Sequence, residues 1–136
     1  MDFLKTLAIA ASGLRAQAGR MRIISENIAN ADSTASGPGA DPYRRKIPTF
    51  TSELDRSLDA QVVTLGNAQL DTSAFQVKYE PGNPSADQNG NVKYPNVNSL
   101  VEMADMREAQ RSYEANINVV TATRRMIQRT LDILKA

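Results

Sequence analysis

The chain has no cysteine, no histidine and no tryptophan. Without cysteine there is no disulfide framework and no thiolate zinc site, and without histidine the commonest metal ligand and general base is missing as well. Triads built on His or Cys are therefore excluded, which leaves carboxylates, lysine or tyrosine as the only catalytic material. No catalytic residue, metal ligand, cofactor or small-molecule substrate is assigned. Aromatic residues are also scarce, with three Phe and four Tyr in 136 residues. The large side chains that usually anchor a small compact core are thus mostly absent. Sixteen Lys and Arg against fifteen Asp and Glu leave a net charge of +1, too little for the electrostatic footprint of a nucleic-acid binder. No apolar run approaches the roughly 18 residues that a membrane-spanning helix needs.

The N-terminus contains a short apolar stretch, Leu7 to Leu14, before Arg15-Ala16-Gln17-Ala18. Asp2 sits beside Lys5 in the leading segment, and Ser12 and Gly13 interrupt the apolar run. Helical spacing of apolar residues also continues well past Ala18, so the segment reads as mature structure and not as a cleaved signal.

Proline and glycine divide the chain. All six prolines lie between Pro38 and Pro95, and the two ends have none. The expected class is mainly α: two long terminal helices, 1–31 and 98–136, form one coiled-coil-like helical hairpin, and 32–97 is an irregular, β-hairpin-containing insert. In the first helix Leu4, Leu7, Ala11, Leu14, Ala18, Met21 and Ile28 follow a heptad-like spacing broken at Ser25. In the second, Met106, Tyr113, Val120, Ile127 and Leu134 recur every seven residues, and Met103, Ile117 and Leu131 widen the stripe. Asn116, Thr123 and Arg124 interrupt it. These stripes are expected to pack on each other, within one subunit or between neighbours. Asn27, Asn30 and Asn116 lie near the apolar faces, where an amide can fix register at a cost in stability, although Asn30 equally suits a helix end.

The second helix is expected to open near Asn98 or Ser99, because Ser99 and Glu102 have the spacing of a capping box. Its acidic residues fall mainly in the first half and its basic residues in the second, which suits the helix dipole. Arg124, Arg125 and Arg129 read as a solvated, dipole-matched face or as groups that pair across subunits. Within the insert, Phe75, Val77 and Tyr79 alternate with polar residues as a strand with one buried face would. Gln61 to Leu65 and Tyr43 to Phe50 are weaker strand candidates. Asn89-Gly90 before Val92-Lys93-Tyr94 is a hairpin signal. Asp87, Asn89 and Asn91 have the opening spacing of a calcium loop, but Val92 stands where glycine is required and Asn98 where a bidentate Glu is required. A side-chain-capped turn explains the same residues.

An antiparallel helix pair buries one face of each helix, and an isolated amphipathic helix is marginal until that face is covered. Assembly with further copies or other subunits is the economical expectation; the alternatives are a standalone helical-hairpin protein-binding module or, more remotely, a carboxylate or lysine enzyme. Particular motifs favour the first. Ser12-Gly13-Leu14-Arg15-Ala16-Gln17, then Asn27-Ile28-Ala29-Asn30-Ala31 and Tyr43-Arg44-Arg45, resemble the N-terminal signature of bacterial flagellar rod and hook proteins. Ser112-Tyr113-Glu114-Ala115-Asn116, with Met126 and Leu131, is similar to their terminal helix. Tyr79-Glu80-Pro81-Gly82-Asn83-Pro84 and Pro95-Asn96-Val97-Asn98 narrow the likeness to a proximal-rod component, with a longer Gly- and Pro-containing link from Ser33 to Pro42 than the wider pattern carries. This resemblance implies a non-enzymatic structural subunit of the proximal rod in the periplasm. It would assemble helically through its terminal helices into the drive shaft and export-channel wall, and be exported by the flagellar type III machinery without a cleaved signal. The implied partners are copies of itself, other flagellar rod proteins and the rod–export-gate adaptor.

Overall fold

The computed structural model describes residues 2–136, so residue 1 of the expected N-terminal helix lies outside the described residues. Helix α1 (Phe3–Ala29) and helix α2 (Ser99–Lys135) enclose a middle segment of six short strands. The strands are β1 (Lys46–Ile47), β2 (Phe50–Asp55), β3 (Ala60–Leu65), β4 (Gln69–Leu70), β5 (Gln76–Tyr79) and β6 (Asn91–Tyr94). They form three separate antiparallel pairs, β1 with β4, β2 with β3 and β5 with β6. Two long terminal helices with a β-hairpin insert are the architecture expected from the distribution of proline.

The chain divides into two compact units that cut across the helix–insert–helix plan. One takes the residues up to Met21, Thr49–Asn67 and the chain from Arg107 onward; the other takes Arg22–Pro48 and Ala68–Met106. In the first unit α1 and α2 run antiparallel, with Gly13 against the Asn116 amide and Arg20 4.0 Å from Glu108. The positions buried between elements of this unit are small: Ala10, Ser12, Ala16, Ala109 and Thr123. Gly13 has no Cβ, and one built there would stand 3.0–3.2 Å from the Asn116 side chain, so glycine sets how closely the helices approach. The β2–β3 hairpin lies on the flank of α1 that carries Ser12 and Gly19. Ser12 Oγ accepts the Val63 N–H at 3.2 Å, and the Leu65 side chain fills the space where a Gly19 Cβ would be.

In α2 the most enclosed line is Glu102, Ala109, Asn116 and Thr123, again seven residues apart. Two of the residues that interrupt the apolar stripe in the sequence therefore belong to the line that is packed. Their polar groups are answered locally: Asn116 Nδ2 donates to Ser112 O at 3.1 Å and Thr123 Oγ1 to Val119 O at 2.9 Å.

In the second unit Ile23, Ile24, Ala31, Ala35, Val92, Pro95 and Val97 are buried. Three local expectations are corrected here. Helix α2 opens where expected, but the Ser99–Glu102 capping box does not form: Asn98 caps the helix, its Oδ1 accepting the Leu100 and Val101 N–H groups, and the Glu102 carboxylate bonds Arg45 and Asn27 instead. Asn89-Gly90 is not a two-residue hairpin turn, because β5 and β6 are joined by the eleven residues 80–90, closed by the Glu80 N–H to Gly90 O bond. And β5 forms, but Val77 and Tyr79 on it are exposed instead of covered. The Asp87 carboxylate accepts the Asn89 and Asn91 N–H groups, the side-chain-capped turn anticipated in place of a calcium loop.

Gly90 combines a φ of 79° with a position where a Cβ would stand 2.8 Å from Tyr79 Cε2. Gly90→Ala is expected to lower unfolding stability by about 1–2 kcal/mol in urea titration, from the left-handed backbone alone. Gly82→Ala, with open space around it, should be near neutral. Equal effects of the two changes would contradict this assignment.

Candidate functional site

The second unit is organised around a carboxylate that cannot reach water. Glu102, in the first turn of α2, is 1% exposed, and Asn27 in the last turns of α1 is fully buried. A buried carboxylate stands only if it is paired and its oxygens are hydrogen-bonded. Glu102 Oε1 accepts from Arg45 Nε, and Oε2 accepts from Asn27 Nδ2 at 3.1 Å. Asn27 uses its whole capacity: Nδ2 also donates to Lys46 O at 2.8 Å, while Oδ1 accepts the Tyr43 hydroxyl at 2.8 Å and the Lys46 N–H at 3.0 Å. One amide thus ties α1 to the strand entering the sheet pair and to the start of α2.

Arg45 carries the network outward. Its guanidinium lies 3.4 Å from Asp71 and 3.7 Å from Asp105, and its own N–H donates to Asn96 Oδ1 at 2.8 Å. Asn96 Nδ2 in turn donates to Asp71 O, Ser73 O and Ser73 Oγ. Burial works against the Arg45 charge, but the hydrogen bond and charge of Glu102, and then those of Asp71, outweigh it and push its pKa further up. Neighbouring Arg44 donates to Asp71 O and Ser73 O and stacks 4.1 Å above the Phe75 ring. Lys46 Nζ reaches Glu26 at 2.9 Å and holds that carboxyl below its ordinary range. Asp71 is lowered chiefly by the Ser73 N–H and hydroxyl, and Glu80 by Asn83 and by the Tyr94 hydroxyl, which donates to it at 3.0 Å.

The node contains no nucleophile-base pair, and among the described residues no group of three His, Cys, Asp or Glu side chains could hold a metal ion. Its chemistry is positional. The other functional surface is apolar and open. Of the sequence-derived packing residues, Leu4, Ile117, Leu131 and Leu134 are exposed, the last at 77%. Leu7, Leu14, Met21, Ile28, Tyr113, Val120 and Ile127 are half-buried, Asn30 and Asn116 also, and Asn27 alone is enclosed. The Asn30 side chain reaches back only to α1, Nδ2 donating to Glu26 O, while its carbonyl accepts from Ser33 in the turn that follows. On α1 the Leu7, Leu14 and Met21 line falls on the flank opposite the residues that meet the β2–β3 hairpin. Arg45, Glu102, Tyr43, Asp71 and Asn96 were not foreseen as a network. Tyr43-Arg44-Arg45 and Pro95-Asn96-Val97-Asn98 mark its two outer segments in the sequence, but nothing local links Glu102 to a residue 57 positions earlier.

Both ends of the chain match flagellar families. Residues 7–35 match the family described as "Flagella basal body rod protein", and residues 88–133 match "Flagellar basal body rod FlgEFG protein C-terminal". The class is therefore that of the bacterial flagellar basal-body rod proteins. Among curated relatives, the flagellar basal-body rod protein FlgC of Agrobacterium fabrum is 57% identical over 94% of this chain and 92% of its own length. The FlgC proteins of Salmonella typhimurium and Aquifex aeolicus are 38% and 35% identical, covering 98% and 99% of both partners. The chain belongs to the FlgC family.

Removing Arg45 strands a buried carboxylate. Arg45→Met is expected to cost about 3–5 kcal/mol in urea unfolding, and adding Glu102→Met in the same chain should recover most of it. A double variant no more stable than Arg45→Met would contradict the pairing. The depressed carboxylates fix the sign of the acid response: Glu26, Asp71 and Glu80 bind protons more weakly folded than unfolded, so their contribution is complete above the ordinary carboxylate range and is lost as pH falls through and below it. The thermal midpoint should hold from neutrality to about pH 5 and fall below it; a rise on acidification would oppose this.

Proposed function

We propose that the chain works as a structural subunit of the proximal rod, assembling helically through its terminal helices into the drive shaft that crosses the periplasm and into the wall of the export channel. One observation carries this reading: large apolar side chains on the surface outnumber those inside. Among the described residues nine apolar residues are buried, five of them alanine, whereas seventeen large hydrophobic side chains are exposed. They lie along both helices and on the strands, at Leu4, Leu54, Tyr79, Met103, Leu131 and Leu134 among others. A chain that keeps so much apolar surface in contact with water gains stability from neighbours that cover it.

Its partners in this reading are further copies of itself, the other flagellar rod proteins and the rod–export-gate adaptor. No helix among the described residues is long and apolar enough to cross a membrane. In this reading the chain is exported by the flagellar type III machinery without a cleaved signal, and α1 (Phe3–Ala29) is part of the assembled subunit. The likeness to rod proteins of the FlgC family supports a structural role and not a catalytic one.

The test is assembly in cells. Leu14→Asp, on the half-buried flank of α1, and Leu131→Asp, on the exposed distal part of α2, place charge where a neighbour would lie. Each should abolish swimming in soft agar and leave isolated basal bodies without a rod, while the soluble chain keeps its helix content. Normal swimming with either change would contradict the proposal.

A further inference from the structure

Residues 87–91 are pinned by their own backbone and by one carboxylate. The Gly90 N–H donates to Asp87 O at 3.0 Å, and the Asp87 N–H to Asn91 O at 2.9 Å. Asp87 Oδ1 accepts the Asn89 N–H at 2.8 Å and the Asn91 N–H at 2.9 Å, and Gly90 O accepts the Glu80 N–H at 2.8 Å. Residue 90 has to be glycine, because its φ is 79° and a Cβ there would stand 2.8 Å from Tyr79 Cε2 and 3.1 Å from Pro81 Cβ. Residue 89 is the one asparagine in this chain that glycine follows. The demand for glycine at 90 therefore creates a chemically reactive dipeptide.

In an Asn-Gly pair the glycine nitrogen can attack the asparagine side-chain carbonyl carbon unhindered, since glycine has no side chain in the way. A bond forms from Gly90 N to Asn89 Cγ, the Cγ–Nδ2 bond breaks, the Gly90 amide proton is given up and the side-chain amide leaves as ammonia. Water then opens the cyclic imide at either carbonyl. The product is aspartate at 89 or an isoaspartyl link, which runs the main chain through Cβ. The turn withholds what this attack needs. Gly90 nitrogen must release its proton, but that N–H is held by Asp87 O in a buried residue, whereas Asn89 is exposed. The nitrogen must also swing towards Cγ, and the bonds from the Asn89 and Asn91 N–H groups to Asp87 Oδ1 fix the chain on both sides of it.

We propose that Asn89 is a deamidation site of this chain and that the turn closed by Asp87 guards it, so that conversion proceeds only when residues 87–91 open. Local openings of this kind, well short of global unfolding, set the rate of any chemistry that needs a backbone N–H set free. Conversion damages the guard itself. An isoaspartyl link lengthens the main chain between residue 89 and Gly90, so Gly90 no longer fits against Tyr79 and Pro81, and the bond from the Glu80 N–H to Gly90 O that closes β5 and β6 is lost. Either product also adds a negative charge two residues from Asp87. The site does not depend on what the chain assembles with.

The test incubates the purified full chain in mildly alkaline buffer, folded and in urea above its unfolding transition, then digests it with trypsin. Cuts after Lys78 and Lys93 release Tyr79–Lys93, in which mass spectrometry reads the amide-to-acid change and locates it among Asn83, Asn89 and Asn91. The unfolded chain is expected to convert first at Asn89, and the folded chain about tenfold more slowly or less, the factor that one charge-assisted hydrogen bond supplies. Asp87→Ala removes two such bonds and should speed conversion of the folded chain by about tenfold or more, with Asp87→Asn, which keeps an acceptor oxygen, in between. Equal rates folded and unfolded would overturn the proposal. So would conversion led by Asn91, or a folded Asp87→Ala chain that converts no faster. If Asp87→Ala does not fold, hydrogen exchange of the Gly90 amide in the unaltered chain decides. Its protection should match the slowing of deamidation, and exchange as fast as in the unfolded chain would contradict the guard.

Discussion

Burying Glu102 constrains the second unit more than any other interaction. A carboxylate removed from water must recover several kcal/mol of lost solvation, and only an opposite charge with well-placed donors supplies that. Arg45 and Asn27 are those donors, and each is committed in turn: Arg45 to Asp71, Asp105 and Asn96, Asn27 to Tyr43 and to both backbone groups of Lys46. Shifting α1 by one residue along α2 would point Asn27 elsewhere and leave Glu102, Tyr43 and Lys46 with unmet groups together. The network therefore penalises wrong registers heavily even if its net gain over an apolar core is small. It also fixes this unit's part of the middle segment, since Asp71 is held by the same guanidinium, Asn96 Oδ1 accepts the Arg45 backbone N–H, and Asn96 Nδ2 donates in turn to Asp71 O and Ser73 Oγ.

The first unit follows the opposite principle. Its helices meet at glycine, alanine, serine and threonine, which permit close approach but bury little apolar area. Larger side chains stand on the flanks, half-covered or open. Few groups are locked by long-range polar bonds; the Val63 N–H to Ser12 Oγ bond, the Lys5 contact with Asp59 and the Arg20–Glu108 pair are the main ones joining its helices and hairpin. Surface ion pairs such as the last two are worth little. Neighbouring subunits, in the proposed reading, would supply the apolar burial that the isolated unit lacks, which suits a chain whose relatives are rod proteins.

The helices and the middle segment were legible because proline is confined to 38–95 and both ends keep helical spacing. The strand periodicity at Phe75–Tyr79 was legible too, since alternation survives whether or not the face is covered, whereas Gln61–Leu65 was a weaker candidate because its alternation breaks at Val62-Val63. What alternation could not tell is that Val77 and Tyr79 stay exposed, because burial depends on what lies opposite. The apolar stripes were visible but do not mark the tightest packing. Ala109, Asn116 and Thr123 occupy that line, and a search for large apolar residues passes over them. Glu102 had the spacing of a capping residue, and only three dimensions bring Arg45 to it. The family motifs pointed to Asn27, Tyr43 and Asn96 without giving the reason, which is that they answer one buried charge.

Two opposite modes of stabilisation within one chain predict a contrast that can be measured directly. Hydrogen exchange of the isolated chain, followed residue by residue, should show the strongest protection around Ile23–Asn27, Lys46 and Ala104–Met106, with rapid exchange toward the start of α1 and along α2 beyond Thr123. In assembled rods the latter segments should become protected. Uniform strong protection along both helices of the isolated chain would contradict the account, because the first unit would then need no neighbours to be stable.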